Sequence, residues 1–262
     1  MKKIFLMMAV LTICAACTKE KEDNSEVGTY NQKRAEKLMG DIFACVAWVE
    51  DEQGEAVYYC GARWTGPYGV TVDENGHLFH KGDKVSKARA KKLTYQHLRE
   101  QVFPFLRYVE PKLKDREIIA VCMFIYNVGG EQFSGYRLDG SKACNASAFL
   151  KAINDGEKPE KIVNKMTGFR KSGGKRANGL LKRHWVTGAI YLEKLSVDDV
   201  LKLRPKAFYE TRNMGNYYWL NSRRNFQMEG GYYKLRYDET TLSVFHRMND
   251  AKAGQRSVAS IV

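Results

Sequence analysis

Three consecutive carboxylates, Glu50, Asp51 and Glu52, close a stretch whose apolar residues recur at helical spacing, and a thiol and a hydroxyl follow at Cys60 and Thr65. A carboxyl group in a partly apolar cleft can keep its proton and pass it to a departing oxygen. A cysteine is mostly protonated at neutral pH and gains thiolate character only beside a cation, for example Arg63. Plain alternatives stand next to each of these. The acids could be a solvated helix end, Cys60 a half-cystine or an inert buried thiol, and Thr65 an ordinary strand threonine. Clustered negative charge at a helix C-terminus opposes the helix dipole, however, and a local conflict of that kind is a mark of functional sites. His77, His80, His97, His184 and His246 are dispersed and show no metal-ligand spacing with cysteines or acids, so neither a metal nor a cofactor is expected. No glycine-rich phosphate loop comes after a strand, and Gly173-Gly174 reads as the geometry of a basic turn.

The elements that must position these groups are set by hydrophobic periodicity. Over 34–50, Ala35, Leu38, Met39, Ile42, Phe43, Val46 and Val49 form one face of a helix that delivers the acids at its end. From 51 to 82 the pattern turns to short apolar runs punctuated by glycine, which read as a small β-hairpin or meander. Helical character returns over 86–109, with Ser86 as N-cap and Pro104 near the end. Residues 117–128 are the most apolar stretch outside the N-terminus and stop at Asn127-Val128-Gly129-Gly130, the signature of a central, buried helix. Three further helical patterns cover 146–154, 159–169 and 179–195. Beyond Leu195 the composition becomes aromatic and basic, and strands are expected near 232–237 and 242–245.

Composition bounds the function. With 262 residues, 44% hydrophobic and 28% charged, the chain can build one good core, which excludes wholesale disorder and low-complexity architectures. No apolar run reaches the roughly 18–20 residues of a spanning helix, so a polytopic membrane protein is excluded too. The N-terminus is an export signal: Lys2 and Lys3, an apolar run over 4–11, then Ala15-Ala16-Cys17 and a charged segment. This end resembles a bacterial lipoprotein signal, with Cys17 preferred over Cys14 as the lipid-bearing residue; an ordinary cleaved signal is the alternative. Residues 1–16 hold two cations and no acid, so the remainder keeps +11 of the formal +13 and the basic bias belongs to the folded part. An exported chain without a nucleic-acid-binding motif points to envelope carboxylates and phosphates rather than nucleic acid as the polyanion. Cys45, Cys60, Cys122 and Cys144 could form two bridges in three connectivities, with none favoured.

A helix ending in a carboxylate, a small Gly-rich sheet and a helical body together resemble the phage-type lysozymes, the endolysin muramidases. Three segments carry the resemblance: Tyr58-Tyr59-Cys60-Gly61-Ala62-Arg63-Trp64-Thr65-Gly66-Pro67-Tyr68-Gly69, the buried helix ending in Asn127-Val128-Gly129 with Phe133 beyond, and Gly179-Leu180-Leu181-Lys182-Arg183. The resemblance covers about 35–195. The resemblance implies cleavage of the β-1,4 bond between N-acetylmuramic acid and N-acetylglucosamine in peptidoglycan, with Glu50 as acid and Cys60 and Thr65 placing the attacking water. It also implies Tyr68, Gly69 and Asn127 as substrate contacts, although Asn127 could equally be a helix C-cap. The family's spacing puts eight residues between the acid and the middle residue; here nine separate Glu50 from Cys60, so strict counting selects Tyr59, or Asp51 as the acid. A slip of one residue along a strand reverses the face, unless a bulge restores it. Glu52 is a further rival for the acid, and Pro67 and Val70 depart from the family's Gly-Tyr-Gly-His.

The resulting expectation is an α+β chain: a signal over 1–16, a flexible tether over 17–33, a mostly helical lysozyme-like domain with a small hairpin over 34–195, and a β-rich extension over 196–262. It acts as a monomer on peptidoglycan strands, held to the membrane by its lipid, on the periplasmic face or the outer membrane or cell surface. A rival from another class is a lysozyme-fold envelope lipoprotein that has lost hydrolysis and binds glycan or a protein partner.

Overall fold

The apolar run from 118 to 125 dictates the centre of the molecule. The structure, a computed structural model, describes residues 24–47, 54–60, 63–169, 171–172, 175–176, 178–202, 228–229, 232–233, 235 and 237. Through the centre runs helix α4 (Asp115–Val128), in which every residue from 118 to 125 is buried. Its first turn is closed by Glu117, whose carboxylate accepts from the Lys114 amide at 2.9 Å. Gly129, at φ 88°, ends it. The next residue must also be glycine, because a Cβ at Gly130 would collide with the Phe105 ring.

Two helices precede the hairpin where the sequence suggests one. Helix α1 (Asn24–Lys37) gives way at Leu38 to α2 (Met39–Ala47). The flexible tether over 17–33 is therefore corrected from Asn24 onward. Gly28 lets α1 lie directly on the backbone of Arg107 in the 3-10 segment Phe103–Tyr108, where a Cβ would come within 2.7 Å of the Arg107 Cα. Buried Asn31 accepts from the Leu113 amide at 3.1 Å and donates to the Pro111 carbonyl at 3.1 Å. These ties cross a polar segment to the body, which hydrophobic periodicity does not register.

The short strands β1 (Tyr58–Cys60) and β2 (Arg63–Thr65) pair antiparallel, and the segment after them is held by single bridges, Ala56 to Lys84 and Val72 to Leu78. Of the expected hairpin or meander, the hairpin forms among the described residues, with loops around a second, small core of Ala47, Val57, Tyr68, Val70, Phe79, Val85, Ala90 and Leu93. Phe43 packs against both cores. Helix α3 (Lys87–His97) starts at Ser86, whose hydroxyl accepts from the Arg89 amide. A π segment (Leu98–Val102) then leads to the 3-10 turn at Pro104, which has no amide hydrogen to continue an α-helix.

After α4 come α5 (Gly130–Ser134), α6 (Ala148–Asn154) and α7 (Pro159–Lys165). Two-residue strands β3 (Lys171–Ser172) and β4 (Lys175–Arg176) flank Gly173-Gly174, and α8 (Asn178–Tyr191) packs along α4. The extension begins with a helix, α9 (Val197–Lys202), not a strand. Strands β5 (Met228–Glu229) and β6 (Tyr232–Tyr233) pair within it, while 242–245 lies outside the described residues. Leu235 is buried with its amide on Asn164 Oδ1 at 2.8 Å. Tyr237 stacks on Trp185 at 5.1 Å and donates to the Trp185 carbonyl at 2.9 Å. Gly188 leaves room for that hydroxyl.

Candidate active site

Strand register decides which residues can work together. Across the hairpin Tyr58 faces Thr65, Tyr59 faces Trp64 and Cys60 faces Arg63. Side chains alternate along a strand, so Arg63 and Thr65 share one face of β2 and Trp64 takes the other. There the Trp64 ring meets Tyr59 at 5.4 Å, and Tyr59 is 64% exposed. By register Cys60 belongs to the face of Arg63 and Thr65, whereas Tyr59, the residue that strict counting selects, belongs to the opposite one. Thr65 is buried, and its hydroxyl donates to the Arg63 carbonyl across a long 3.4 Å. Glu50, with its rivals Asp51 and Glu52, lies outside the described residues, as does Cys17; α2 ends three residues before Glu50.

The turn after β2 is tightly specified. Pro67, Tyr68 and Gly69 form a single 3-10 turn in which Tyr68 has φ 60° and Gly69 φ 78°. The Gly66 amide donates to the Val70 carbonyl at 2.8 Å. The Tyr68 ring does not open toward solvent: it is buried in the small core, edge-on to Phe43 at 5.3 Å. As a substrate contact Tyr68 can therefore offer only backbone, while Gly69 is half-buried. From the body, Tyr126 on α4 reaches across and donates its hydroxyl to the Tyr68 carbonyl at 2.6 Å. Half-buried His97 stands edge-on to the Tyr126 ring at 5.3 Å, and desolvation lowers its imidazole pKa, opposed in part by Glu100.

Asn127 is the penultimate residue of α4 rather than its C-cap, which is Gly129. Its Nδ2 donates to the Met123 carbonyl at 2.8 Å, and its Oδ1 accepts from Arg183 Nη1 on α8 at 2.7 Å. Arg183 enters the site through packing. In the sequence it stands within the Gly179–Arg183 motif without a role; the available signal was an arginine just before the apolar stretch that opens at Trp185. Tyr126 was legible in the same way, since a tyrosine at the end of a fully buried run needs a partner for its hydroxyl.

Cys45, Cys122 and Cys144 are free thiols, so the two bridges that the cysteine count allows are not formed. Cys45 and Cys122 act as small core residues on α2 and α4. Burial pushes the Cys45 thiol up to about 12 and the Cys122 thiol higher still. Among the described residues, no three His, Cys, Asp or Glu side chains are grouped to hold a metal ion, and no helix is long and apolar enough to cross a membrane.

A mostly helical body built on one buried helix, carrying a small two-stranded hairpin at its edge, defines a lysozyme-like α+β domain. Residues 48–185 match the family model described as phage lysozyme, and the chain belongs to that family. No curated protein matches it. The matched segment starts two residues before Glu50 and takes in Cys60, Thr65, Asn127 and Arg183. Membership supports a peptidoglycan hydrolase of the muramidase type, that is, a glycoside hydrolase acting on cell-wall glycan.

Proposed function

We propose that the protein is an exported, lipid-anchored muramidase that hydrolyses the β-1,4 bond between N-acetylmuramic acid and N-acetylglucosamine. Glu50 protonates the departing glycosidic oxygen while a water held by Cys60 and Thr65 attacks the anomeric carbon from the opposite face. Arg63 supplies the positive charge that draws the Cys60 thiol toward thiolate. Gly69, the Tyr68 backbone and Asn127 line the glycan. Cys17 carries the lipid that holds a monomer on the periplasmic face, the outer membrane or the cell surface. The single observation that supports this reading best is the hairpin register, which sets Cys60 opposite Arg63 and Arg63 beside Thr65 on one face of β2, inside the matched family segment.

The test is release of soluble muropeptides from purified peptidoglycan, with and without reductant, analysed by mass spectrometry. Products ending in reducing muramic acid are expected, and Glu50→Gln should abolish their release without unfolding the protein. A Glu50→Gln variant that still clears cell walls refutes the acid assignment. The altered turn, in which Tyr68 is buried rather than open to a ligand, favours a second reading as a glycan-binding protein without hydrolysis. Intact sacculi that retain the protein would establish it.

A further inference from the structure

The hairpin that carries Thr65 is short, with three paired residues on each strand, and a two-stranded ribbon of that length has little stability of its own. Thr65 stands at its last position, and among the described residues its side chain makes one hydrogen bond, a long one to the Arg63 carbonyl at 3.4 Å. Its placement therefore depends on the Gly66–Val70 turn, which is built against local preference. Tyr68 adopts the left-handed region at φ 60°, which costs an L-residue roughly 1–2 kcal/mol, and its neighbour Gly69 is left-handed as well. Pro67 fixes the φ before them.

Two contacts hold this conformation from outside the turn. The Tyr68 ring is packed edge-on against Phe43 at 5.3 Å, and the Tyr68 carbonyl receives the Tyr126 hydroxyl at 2.6 Å. The first fixes the side chain and the second the peptide plane. Tyr126 is well suited to this because it sits on the central helix, with its ring braced by His97 at 5.3 Å. Gly69 comes so close that a Cβ there would touch the Tyr126 ring and hydroxyl at 3.8 Å. If the Tyr68–Gly69 peptide rotated, its carbonyl would leave Tyr126 and the Gly66 to Val70 bond of 2.8 Å, immediately after Thr65, would lose its geometry.

We propose that the Tyr126 hydroxyl is a positioning group that locks the Gly66–Val70 turn to the central helix and so fixes Thr65 for the reaction. This rests on the reading of Thr65 as a water-placing residue. Tyr126 does not touch the reacting atoms; it acts through the backbone of the turn.

Tyr126→Phe keeps the ring and its packing and removes only the hydroxyl. In the full-length protein two quantities are compared with wild type: amide hydrogen exchange of the peptide covering 66–70, and turnover of soluble peptidoglycan glycan chains. The expected result is faster exchange in that peptide, with kcat lower by about tenfold and KM changed less than about twofold, since a neutral hydrogen bond is worth up to about one such factor. Unchanged exchange overturns the lock whatever the activity shows. Faster exchange with wild-type kcat overturns the positioning role, as does a rise in KM alone. A parallel Thr65→Ala variant separates the two levels. If Thr65→Ala is inactive while Tyr126→Phe turns over normally, only the present inference fails. If Thr65→Ala retains full turnover, or wild type has none, the underlying reading of Thr65 fails and takes the positioning role with it.

Discussion

Acidification should loosen the core through one histidine. His184 on α8 is fully buried, edged by Phe124 at 5.6 Å, and its Nε2 lies 3.0 Å from the Phe169 carbonyl. A carbonyl only accepts, so Nε2 carries the hydrogen and Nδ1 is the bare nitrogen, which has no partner among the described residues. A proton arriving at Nδ1 would place a donor without acceptor, and a full charge, inside the main core. Burial first, and the neighbouring Arg183 charge as well, drive the pKa from 6.5 down to about 4, against the Phe169 bond that raises it. Between about pH 6.5 and about pH 4 the unfolded chain binds a proton here that the native protein refuses, so stability falls as the pH falls. Below both values the loss from this site is about 3 kcal/mol, a large fraction of the stability of an ordinary domain. Denaturant midpoints measured from about pH 7 to about pH 4 would show it. His184→Gln retains a donor for the Phe169 carbonyl and has nothing to titrate, so its midpoint should vary less steeply over that window. The variant also separates His184 from His97, whose lowered pKa acts with the same sign in both proteins. Parallel pH dependence of wild type and His184→Gln would refute the reasoning.

The same contacts set the outcome of other perturbations. In native protein at mildly alkaline pH, alkylation mapped by mass spectrometry should mark the half-exposed Cys144 and spare Cys45 and Cys122, whose thiolates are disfavoured by burial; all three should react after denaturation. Gly130→Ala should lower thermal stability by about 1–3 kcal/mol or more, because its methyl group would occupy the space of the Phe105 ring in a packed core. Phe124→Ala removes the ring that contacts Phe133, Phe149 and Phe169 and should cost about 3–5 kcal/mol in chemical denaturation. Arg34→Ala, by contrast, breaks a bidentate pair with Asp115 whose side chains are 38% and 46% exposed, and its thermal midpoint should stay close to that of wild type.

The central helix, the Ser86 cap and the helical segments after it were legible in the sequence because they depend on local rules: an apolar run long enough to be buried on all sides, a hydroxyl before a helix, a glycine after one. Three features were not. The helix from Asn24 reads as a polar tether, because its anchors are Asn31 bonding to distant backbone and Gly28 lying on Arg107. The cysteines invite bridges by their number, yet Cys45 and Cys122 are small residues of a close-packed interior, and counting does not show which way a side chain faces. The face each of Tyr59 and Cys60 takes could not be read by counting from the acid, since one residue reverses a strand face and only the pairing with Trp64 and Arg63 sets the register.

Fold class, family membership and the short list of groups capable of chemistry are thus written along the chain, because motifs and periodicity are properties of near neighbours. Packing in three dimensions was needed to show that Tyr126 grips the turn beyond Thr65, that Arg183 binds Asn127 and that His184 is sealed in without a second partner among the described residues. Each of these joins residues more than ten positions apart, and such contacts are fixed by the close-packed interior rather than by any local preference.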